Sequence, residues 1–460
     1  MTRSVSLKLY LSIVATGLMA FCGVLIETAM NVTFPTLMKQ FGVNTATIQW
    51  LTTGYLLIVS IFVPISGFLK RRFTTKQLFL TANLTFLIGL LICSFTNNFT
   101  ILLVGRLIQG AGTGVALPLM FNIILEQAPL DKLGFLMGIG TLVTAIAPAI
   151  GPTYGGLLVG LDWHYIFRIL LVLIVISLIL GIGSITQVTQ PKHVKLDFSS
   201  WLLIAIFFAG AILAFNQLAS SITMALAYGV IGVAGLILFI FRTKHTSNAL
   251  VNLGVFKSQP FTLHLTGFLI MQIINVGAAF VLPNYLQLVN RVSSLEAGIL
   301  LLPGAAIGAA LAPVSGKLYD ALGPSKPIKL GLTIQLIGVV LLLVTALTAN
   351  TWIVLTGYVF VMLGTGFAMG NIMTNGLAQI SKAQSIDGNA VFNTLQQFSG
   401  ALGTAIISLI MSLAQVATNE VHSTAVGAQH DFLLLVILEL LAILMLLVGL
   451  RRGQSKKTTD

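Results

Sequence analysis

The sequence predicts an all-α integral membrane protein with fourteen transmembrane helices, built as two six-helix pseudo-repeats plus two inserted helices. Of its 460 residues, 57% are hydrophobic and 8% are charged, whereas soluble domains carry about 25% charged residues. Fourteen apolar segments follow one another between residues 9 and 450, and most exceed the about 18 residues that a spanning helix needs. An internal repeat with a shift of about 250 residues completes the prediction.

Most of the 24 lysine and arginine residues fall in short loops on one side of the predicted membrane. The positive-inside rule therefore places these loops and both termini in the cytoplasm, and it explains the net charge of +12 without nucleic acid as a partner. The first apolar segment is longer than the about 7–15 residues of a signal peptide, which indicates an uncleaved first span. Cys22 and Cys93 lie in apolar segments, so neither a disulfide nor a metal site is predicted.

The repeat is visible in two pairs of short segments. PISGFL (Pro64–Leu69) returns as PVSGKL (Pro313–Leu318), and GRLIQGAGTG (Gly105–Gly114) returns as GYVFVMLGTG (Gly357–Gly366). Two parallel repeats predict a binding site between the halves and alternating access to it. The predicted units are an N-terminal half over residues 1–190, two inserted helices with linkers over 191–257, and a C-terminal half over 258–460.

Five motifs carry a family resemblance. They are LLVGRLIQGAGTG (Leu102–Gly114), GPTYGG (Gly151–Gly156), DWHYIF (Asp162–Phe167), LPNYLQLVNRVSSLEAGILLLPG (Leu282–Gly304) and ETAMNVTFP (Glu27–Pro35). With them the chain resembles the major facilitator superfamily, specifically its fourteen-helix drug:proton antiporter branch. The resemblance implies the major facilitator fold.

The resemblance also implies secondary active efflux of lipophilic antimicrobial compounds in exchange for protons, by a monomer in a bacterial plasma membrane. A proton-coupled transporter of a single endogenous metabolite or lipid, including an uptake symporter, is the alternative. The sequence has no phosphate-binding GxxxxGK[ST] motif and no cluster with hydrolase or metal-ligand spacing, so neither an ATP-driven pump nor a cofactor is predicted. A membrane enzyme or sensor requires a catalytic constellation or a soluble domain, and we predict neither.

Three charged residues inside predicted spans are candidates for proton coupling. Glu27 and Arg106 lie at similar depths, about 6 Å and about 9 Å outward of the centres of spans 1 and 4. We expect Glu27 to bind and release the coupling proton as it moves relative to Arg106; a static ion pair and a substrate contact are the alternatives. Glu439 is either a second proton site or a protonated residue facing lipid. Asp431 and Glu126 lie near predicted span ends and are expected to be solvated or to lie among lipid headgroups.

The fifth span contains helix breakers in GTLVTAIAPAIGPTYGG (Gly140–Gly156). Each costs about 1 to 3 kcal/mol in an ordinary helix, but small residues permit close approach of neighbouring helices in a bilayer. We interpret the stretch as a gate that packs on span 13 at GALG (Gly400–Gly403), with simple close packing as the alternative. The gating residues are Gly140, Gly151, Pro152, Gly155 and Gly156.

The loop after span 2 departs from the family pattern GxLxDRxGRR. GFLKRRFTTK (Gly67–Lys76) has Arg71 at the acidic position, a variant that resembles lincomycin-type multidrug efflux proteins of Gram-positive bacteria. The second-half copy, GKLYDALG (Gly316–Gly323), keeps the acidic residue and is predicted to hold a cytoplasmic latch. The latch residues are Gly67, Arg71, Arg72, Gly316 and Asp320.

Polar residues at membrane depth are candidates for a substrate cavity. Singly, each of them suits a hydrogen bond between helices; together they suit an amphipathic pocket for an uncharged or weakly cationic lipophilic ligand. The predicted cavity residues are Asn31, Gln49, Tyr55, Asn122, Asn275, Asn284, Asn371, Asn375 and Gln396.

Overall fold

The computed structural model describes residues 6–43, 45–48, 50–191, 196–218, 221–246, 250, 252–414 and 420–457. Thirteen helices in these ranges are long and apolar enough to cross a membrane, and a further long helix before the last of them completes the predicted fourteen. The first half contains α1 (Leu7–Phe41), α2 (Trp50–Arg72), α3 (Thr75–Phe95), α4 (Phe99–Gln127), α5 (Leu133–Val159) and α6 (His164–Ser184). The inserted pair is α7 (Phe198–Gln217) and α8 (Ile222–His245). The second half contains α9 (Gln259–Leu288), α10 (Ser294–Leu322), α11 (Ser325–Thr345), α12 (Thr351–Leu377), α13 (Ser385–Ala414) and α14 (Glu420–Lys457).

Local sequence signals fix several helix boundaries. Thr74 with Gln77 forms a capping box at the start of α3, and Ser293 with Glu296 forms one at the start of α10. Each box satisfies backbone N–H groups that the first helical turn leaves unpaired. Helix α2 is interrupted by a 3-10 turn at Val63–Ile65, because the proline within it cannot donate a backbone hydrogen bond.

The two halves repeat the same close packing. A Cβ on Gly89 of α3 would lie 2.7 Å from the carbonyl oxygen of Gly105 in α4, and one on Gly338 of α11 would lie 2.9 Å from that of Gly357 in α12. Both separations are too short for a Cβ, so only glycine permits these helix pairs to approach as they do. The repeat predicted from sequence is therefore also a repeat of packing.

The two halves meet along two seams. Seam 1 joins α2 to α13, and seam 2 joins α5 to α10. Both seams hold polar contacts at the membrane face where α1 begins and α14 ends, which we call the basic face because Arg71, Arg72, Arg451 and Arg452 lie there.

The predicted contact between spans 5 and 13 is wrong. In the part of the chain that the structure describes, α5 packs on α10 of the other half and on α1 of its own half, and α13 packs on α2 and α9. The pseudo-twofold maps α5 onto α13, so these helices are symmetry mates rather than neighbours. A sequence repeat identifies such mates but does not say which helices touch.

The inserted helices form a pair that lies over seam 1. Gly210 of α7 and Gly232 of α8 permit the two helices to approach closely. A Cβ on Gly210 would lie 2.7 Å from the Cα of Gly232, which is too short for any side chain. The indole nitrogen of Trp201 donates to the carbonyl oxygen of Ile61 at 3.0 Å, just before the 3-10 turn of α2. The ring of Phe208 contacts that of Phe398 in α13 at a centroid distance of 6.1 Å. Helix α7 therefore contacts both partners of seam 1.

An ion pair closes the loop-side end of the inserted helices. Asp197, the N-cap of α7, accepts a hydrogen bond from the Ser200 hydroxyl at 2.6 Å, and Arg242 at the end of α8 lies 2.9 Å from it. Burial opposes ionisation of Asp197, but the hydrogen bonds from Ser200 and Arg242 outweigh it and hold the pKa of the carboxyl below its usual range.

Candidate functional site

A buried cation lies at the centre of the first half. Arg106 of α4 is 0% exposed. Its Nε donates to the carbonyl oxygen of Leu51 at 3.1 Å, its Nη1 donates to Oε1 of Gln109 at 2.7 Å, and its guanidinium carbon lies 4.2 Å from the centroid of the Tyr55 ring. Its Nη2 has no hydrogen-bond partner in the part of the chain that the structure describes. Neutral groups thus hold this cation, and one of its donors is left for another acceptor.

Tyr55 ties the same centre to α1. Its hydroxyl lies 2.8 Å from the carbonyl oxygen of Gly23 and 2.9 Å from Oγ1 of Thr113. A Cβ on Gly23 would lie 2.6 Å from the Thr113 side chain, so α1 and α4 touch here through a glycine. Of the predicted cavity residues, Tyr55 is therefore part of the support of Arg106.

Glu27 lies one turn beyond Gly23 on α1 and is half-buried. Its charge interacts with Arg106 and Tyr55. Among the described residues, however, no carboxylate oxygen of Glu27 lies within 4.0 Å of an Arg106 nitrogen. The carboxylate and the guanidinium are thus within electrostatic range of each other but form no ion pair in the described part of the chain. The predicted static ion pair is absent from this conformation.

The predicted gating stretch packs on the turn of α1 that holds Glu27. A Cβ on Gly155 would overlap the carbonyl oxygen of Ala29, and one on Gly151 would overlap the side chain of Thr28. Gly140 lies lower on α5, against the ring of Phe121 in α4. Of the other two predicted members, Pro152 is exposed and Gly156 is half-buried.

The second half contains two buried carboxyl groups on α14. Glu439 is 0% exposed, which excludes the predicted lipid-facing position in this structure. Asp431 is also 0% exposed, so the prediction that it is solvated is wrong. The predicted span began at residue 432, whereas α14 begins at Glu420 and carries Asp431 well inside the helix.

Several predicted cavity residues hydrogen-bond between helices. Nδ2 of Asn371 donates to Oγ of Ser315 in α10 at 2.7 Å. Asn375 lies 2.7 Å from Nε2 of His264 in α9, and Oδ1 of Asn275 accepts from Thr365 at 2.6 Å. These contacts join α9, α10 and α12 within the second half.

Two further cavity candidates, Asn284 and Gln396, form hydrogen bonds within the second half. Nδ2 of Asn284 donates to the carbonyl oxygen of Phe280 at 2.8 Å, and Nε2 of Gln396 donates to Oε1 of Gln272 at 3.4 Å. Both Asn284 and Gln396 are half-buried. The side chain of Asn31 and all of Gln49 lie outside the described residues.

An asparagine cluster joins the two halves; it contains the predicted cavity residue Asn122 and two residues that sequence reasoning missed, Asn389 and Asn393. Nδ2 of Asn389 in α13 donates to Oδ1 of Asn122 at 2.8 Å and to the carbonyl oxygen of Pro118 in α4 at 3.1 Å. Nδ2 of Asn393 donates to Oδ1 of Asn389 at 2.8 Å. The spacing of four between Asn389 and Asn393, beside a proline-containing α4, was the available signal.

The seam 1 latch is an ion pair. Nη1 of Arg71, at the end of α2, lies 2.9 Å from Oδ1 of Asp387, in the first turn of α13, and the Asp387 side chain is 4% exposed. The linker after α8 contacts both partners: the carbonyl oxygen of Leu250 accepts from Nη2 of Arg71 at 3.1 Å, and the backbone N–H of Asn252 donates to Asp387. Gly67 lies next to this pair: a Cβ on Gly67 would lie 3.3 Å from Oδ1 of Asp387.

In seam 2 the predicted latch residue Asp320 binds backbone N–H groups instead of a cation, and Nζ of Lys317 lies 4.8 Å from the centroid of the Phe135 ring nearby. Oδ1 of Asp320, at the end of α10, accepts from the backbone N–H of Gly134 at 2.8 Å, and its Oδ2 accepts from that of Phe135 at 2.9 Å. These N–H groups form the first turn of α5, where the helix dipole favours a negative charge. A Cβ on Gly316 would overlap the carbonyl oxygen of Gly134, so the two backbones touch.

Two further basic residues flank the seam 1 latch. Nζ of Lys70 lies 2.8 Å from Oε2 of Glu126 at the end of α4, with the two side chains 1% and 11% exposed. The prediction that Glu126 is solvated is therefore wrong. Its carboxylate is largely buried and pairs with Lys70, a partner that sequence reasoning did not identify. Arg72 is the last residue of α2.

The DWHYIF motif lies in the first half at the membrane face opposite the basic face, where it links two loops. Nδ1 of His164 lies 2.6 Å from Oδ1 of Asp162, and its Nε2 lies 2.9 Å from the carbonyl oxygen of Thr96 in the loop after α3. Burial opposes ionisation of Asp162, but its hydrogen bonds with His164 and the charge of Arg168 keep the pKa of its carboxyl below the usual range. The motif thus joins two loops at the face opposite the basic one.

Two parallel six-helix repeats that enclose buried polar groups and meet along two seams define a membrane transporter. A family model described as Major Facilitator Superfamily matches residues 16–404, and the chain belongs to this family. The predicted family and the predicted fourteen-helix major facilitator fold are confirmed.

Similar proteins extend over nearly the whole chain. The lincomycin resistance protein LmrB of Listeria monocytogenes is 36% identical over 447 residues, which cover 94% of this chain and 95% of that protein. LmrB of Bacillus subtilis is 34% identical over 445 residues, covering 93% of each. The solved structure of the human organic anion transporter MFSD10 (TETRAN) has a TM-score of 0.68 and 13% identity, covering 94% of this chain and 99% of that one, which shows a shared fold.

Proposed function

We propose that this chain exports lipophilic antimicrobial compounds in exchange for protons, by alternating access across a bacterial plasma membrane. It acts as a monomer without a cofactor and is not an enzyme. The basic face is cytoplasmic, by the positive-inside rule, so both termini are cytoplasmic. The relatives named lincomycin resistance protein support drug efflux.

One observation carries the proton step: Arg106 is fully buried with an unpaired Nη2, and Glu27 is half-buried near it without an ion pair. A protonated Glu27 leaves Arg106 to its neutral partners. A deprotonated Glu27 gains by moving toward Nη2, because an unpaired charge in a membrane interior is costly. Protonation of Glu27 therefore changes the preferred position of α1.

The packing of α5 connects this step to the gate. Gly151 and Gly155 bring the α5 backbone against Thr28 and Ala29, directly after Glu27. A shift of α1 at this turn therefore displaces α5, which forms seam 2 with the other half. In this proposal Gly140, Gly151, Pro152, Gly155 and Gly156 give α5 the small side chains and kinks that the movement needs.

The substrate binds between the halves. Asn275, Asn284 and Gln396 are half-buried and are the proposed polar contacts, whereas Asn122, Asn371 and Asn375 are buried in hydrogen bonds between helices. Few charges and several amides suit a lipophilic ligand that is uncharged or weakly cationic.

Transport by purified protein in liposomes tests the proposal. With the basic face inside, an acidic exterior is expected to drive a lipophilic drug outward, with lincomycin tested beside it, and collapse of the pH gradient is expected to stop the efflux. Glu27→Gln removes the titratable group and keeps the shape, so it is expected to abolish pH-driven efflux while drug binding persists.

Glu296→Gln is the matched control. Glu296 is an exposed glutamate whose capping role at the start of α10 glutamine also performs. Full pH-driven efflux by Glu27→Gln would overturn the coupling role. Failure of a broad drug panel, with pH-driven movement of one endogenous metabolite or lipid, would establish the alternative substrate class.

A further inference from the structure

Two carboxyl groups in the second half have no hydrogen-bond partner. Asp431 and Glu439 are both 0% exposed, and among the described residues all four of their carboxyl oxygens are buried without a partner. Buried polar atoms in folded proteins are nearly always hydrogen-bonded, so two such side chains on one helix require an explanation.

Both groups lie on the side of α14 that packs into the second half. The buried positions of this side recur every three or four residues, as expected for one helix face. They are Thr424, Ala428, Asp431, Leu435, Glu439, Ala442 and Leu446. The eight residues from Asp431 to Glu439 correspond to a rise of about 12 Å along the helix.

Aliphatic side chains surround the segment between the two carboxyl groups. A Cβ on Gly277 of α9 would meet Leu435 of α14 at 3.3 Å and Ile407 of α13 at 3.1 Å. Ile274 and Ala278, the neighbours of Gly277 on α9, are 0% exposed. An ionised carboxylate here loses its hydration and gains no compensating contact.

The other titratable groups on the helices packed against α14 are bonded elsewhere or lie at helix ends. On α9, His264 bonds to the Pro260 carbonyl and to Asn375, and the Tyr285 hydroxyl bonds to the Ala346 carbonyl. On α11, Lys326 and Lys329 are exposed in the first turns, and on α13 Asp387 pairs with Arg71. On α14 itself, His430 is exposed, and Glu420, His422, Arg451 and Arg452 lie near the helix ends.

We propose that Asp431 and Glu439 form a second proton-binding site, protonated in the conformation in which the basic face is latched. This inference rests on the proposed proton exchange and adds a site in the half that contains no counterpart of Arg106, since Tyr358 stands at that place in the repeat. Each group binds one proton at a carboxyl oxygen and releases it to water when the surrounding helices separate.

The latch and this site share helix α13. Asp387 at the start of α13 is held by Arg71, and Ile407 further along the same helix covers the segment between the two carboxyl groups. Opening of the seam 1 latch frees α13 to move relative to α9 and α14. That movement admits water to α14 and permits the protons to leave.

The number of protons exchanged per drug molecule, measured from the reversal potential in proteoliposomes, tests the proposal. The double variant Asp431→Asn with Glu439→Gln is expected to exchange fewer protons per drug than the unmodified protein, with drug affinity within about twofold. Glu296→Gln is the control and is expected to leave the proton number unchanged.

Infrared difference spectra supply a readout that does not depend on transport. The unmodified protein is expected to show protonated-carboxyl carbonyl bands that Asp431→Asn and Glu439→Gln each remove in part. An unchanged proton number in the folded double variant, or the absence of these bands, overturns the proposal. A lack of any proton exchange in the unmodified protein instead overturns the proposed function, which distinguishes the two failures.

Discussion

Seam 1 and seam 2 occupy equivalent places in the two repeats but are held by opposite arrangements of charge. In seam 2 the carboxylate of Asp320 ends α10 and binds the backbone N–H groups of α5. In seam 1 the equivalent helix ends in the cation of Arg71, and the carboxylate is Asp387, in the first turn of α13. Each latch thus keeps one negative charge at the start of a helix, where the dipole favours it.

The seams also differ in what touches. In seam 2 the backbones meet, beside the contact of Lys317 with the Phe135 ring: Cβ atoms on Gly138 and Gly316 would collide with Ala312 and Gly134 across the seam. In seam 1 side chains meet, and the α8–α9 linker and Trp201 add contacts from the inserted segment. Side chains can separate and reform more easily than packed backbones. We therefore expect seam 1 to open at the basic face during transport, while α5 turns against α10 along seam 2 without separating from it.

The largest effect is expected from filling the backbone contact of seam 2. Gly316→Leu places a side chain where the Gly134 carbonyl lies, and the overlap costs more than the about 1–3 kcal/mol of an extra buried methylene. We expect loss of transport together with a lower yield of folded protein. Initial efflux rate and monodispersity after purification measure the two effects.

Gly183→Leu is the control for this change. Gly183 lies on α6, and a Cβ there would meet no atom of another described helix or loop within 4 Å. It is expected to keep efflux and yield. Normal efflux by Gly316→Leu would mean that seam 2 is not closely packed during the transport cycle.

An intermediate effect is expected from reversing one charge in seam 1. Arg71→Asp removes the partner of a carboxylate that is 4% exposed and places a second negative charge against it. Because the Arg71 side chain is 28% exposed, solvent reduces the cost to about 2–4 kcal/mol. Thr394 is a buried residue of α13, about two turns beyond Asp387. We expect the basic face to open, seen as faster labelling of a cysteine introduced at Thr394 after replacement of Cys22 and Cys93.

The exchanged pair isolates the electrostatic part of this effect. Arg71→Asp combined with Asp387→Arg restores opposite charges and is expected to recover most of the protection at position 394. Its recovery should be incomplete, because the cation then stands at the start of α13, where the helix dipole disfavours it. Equal labelling in the single and double variants would contradict an ion-pair latch.

The fold was predictable from sequence because spanning helices and a duplicated motif depend on composition and spacing. The length of an apolar segment identifies a spanning helix, and the similarity of PISGFL to PVSGKL identifies the second half as a repeat of the first. Neighbour relations were not predictable, since the glycines of α5 suit any helix that approaches closely. In the structure Gly134 and Gly138 pack on α10, Gly151 and Gly155 pack on α1, and Gly140 packs on α4.

The candidate site was predictable only in part. Arg106 and Glu27 stand out because an ionisable residue inside a span is rare. Asp387 does not stand out, because it precedes the predicted span 13, and its partner Arg71 lies 316 positions away in sequence. Asp431 was misplaced because the predicted span began one residue after it, and the apolar pattern alone gave no sign that α14 extends back to Glu420.

The smallest effect is expected from neutralising the seam 2 latch. Asp320→Asn keeps one acceptor oxygen but loses the charge and the second acceptor, so one of the N–H groups of Gly134 and Phe135 loses its partner. Asp320 is half-buried, and we expect a cost of about 1–2 kcal/mol, seen as a lower apparent unfolding midpoint with efflux retained. Glu296→Gln, at an exposed position at the opposite end of α10, is the control. Destabilisation as large as that of Arg71→Asp would mean that the charge of Asp320, rather than backbone packing, holds seam 2 together, and the contrast between the seams would fail.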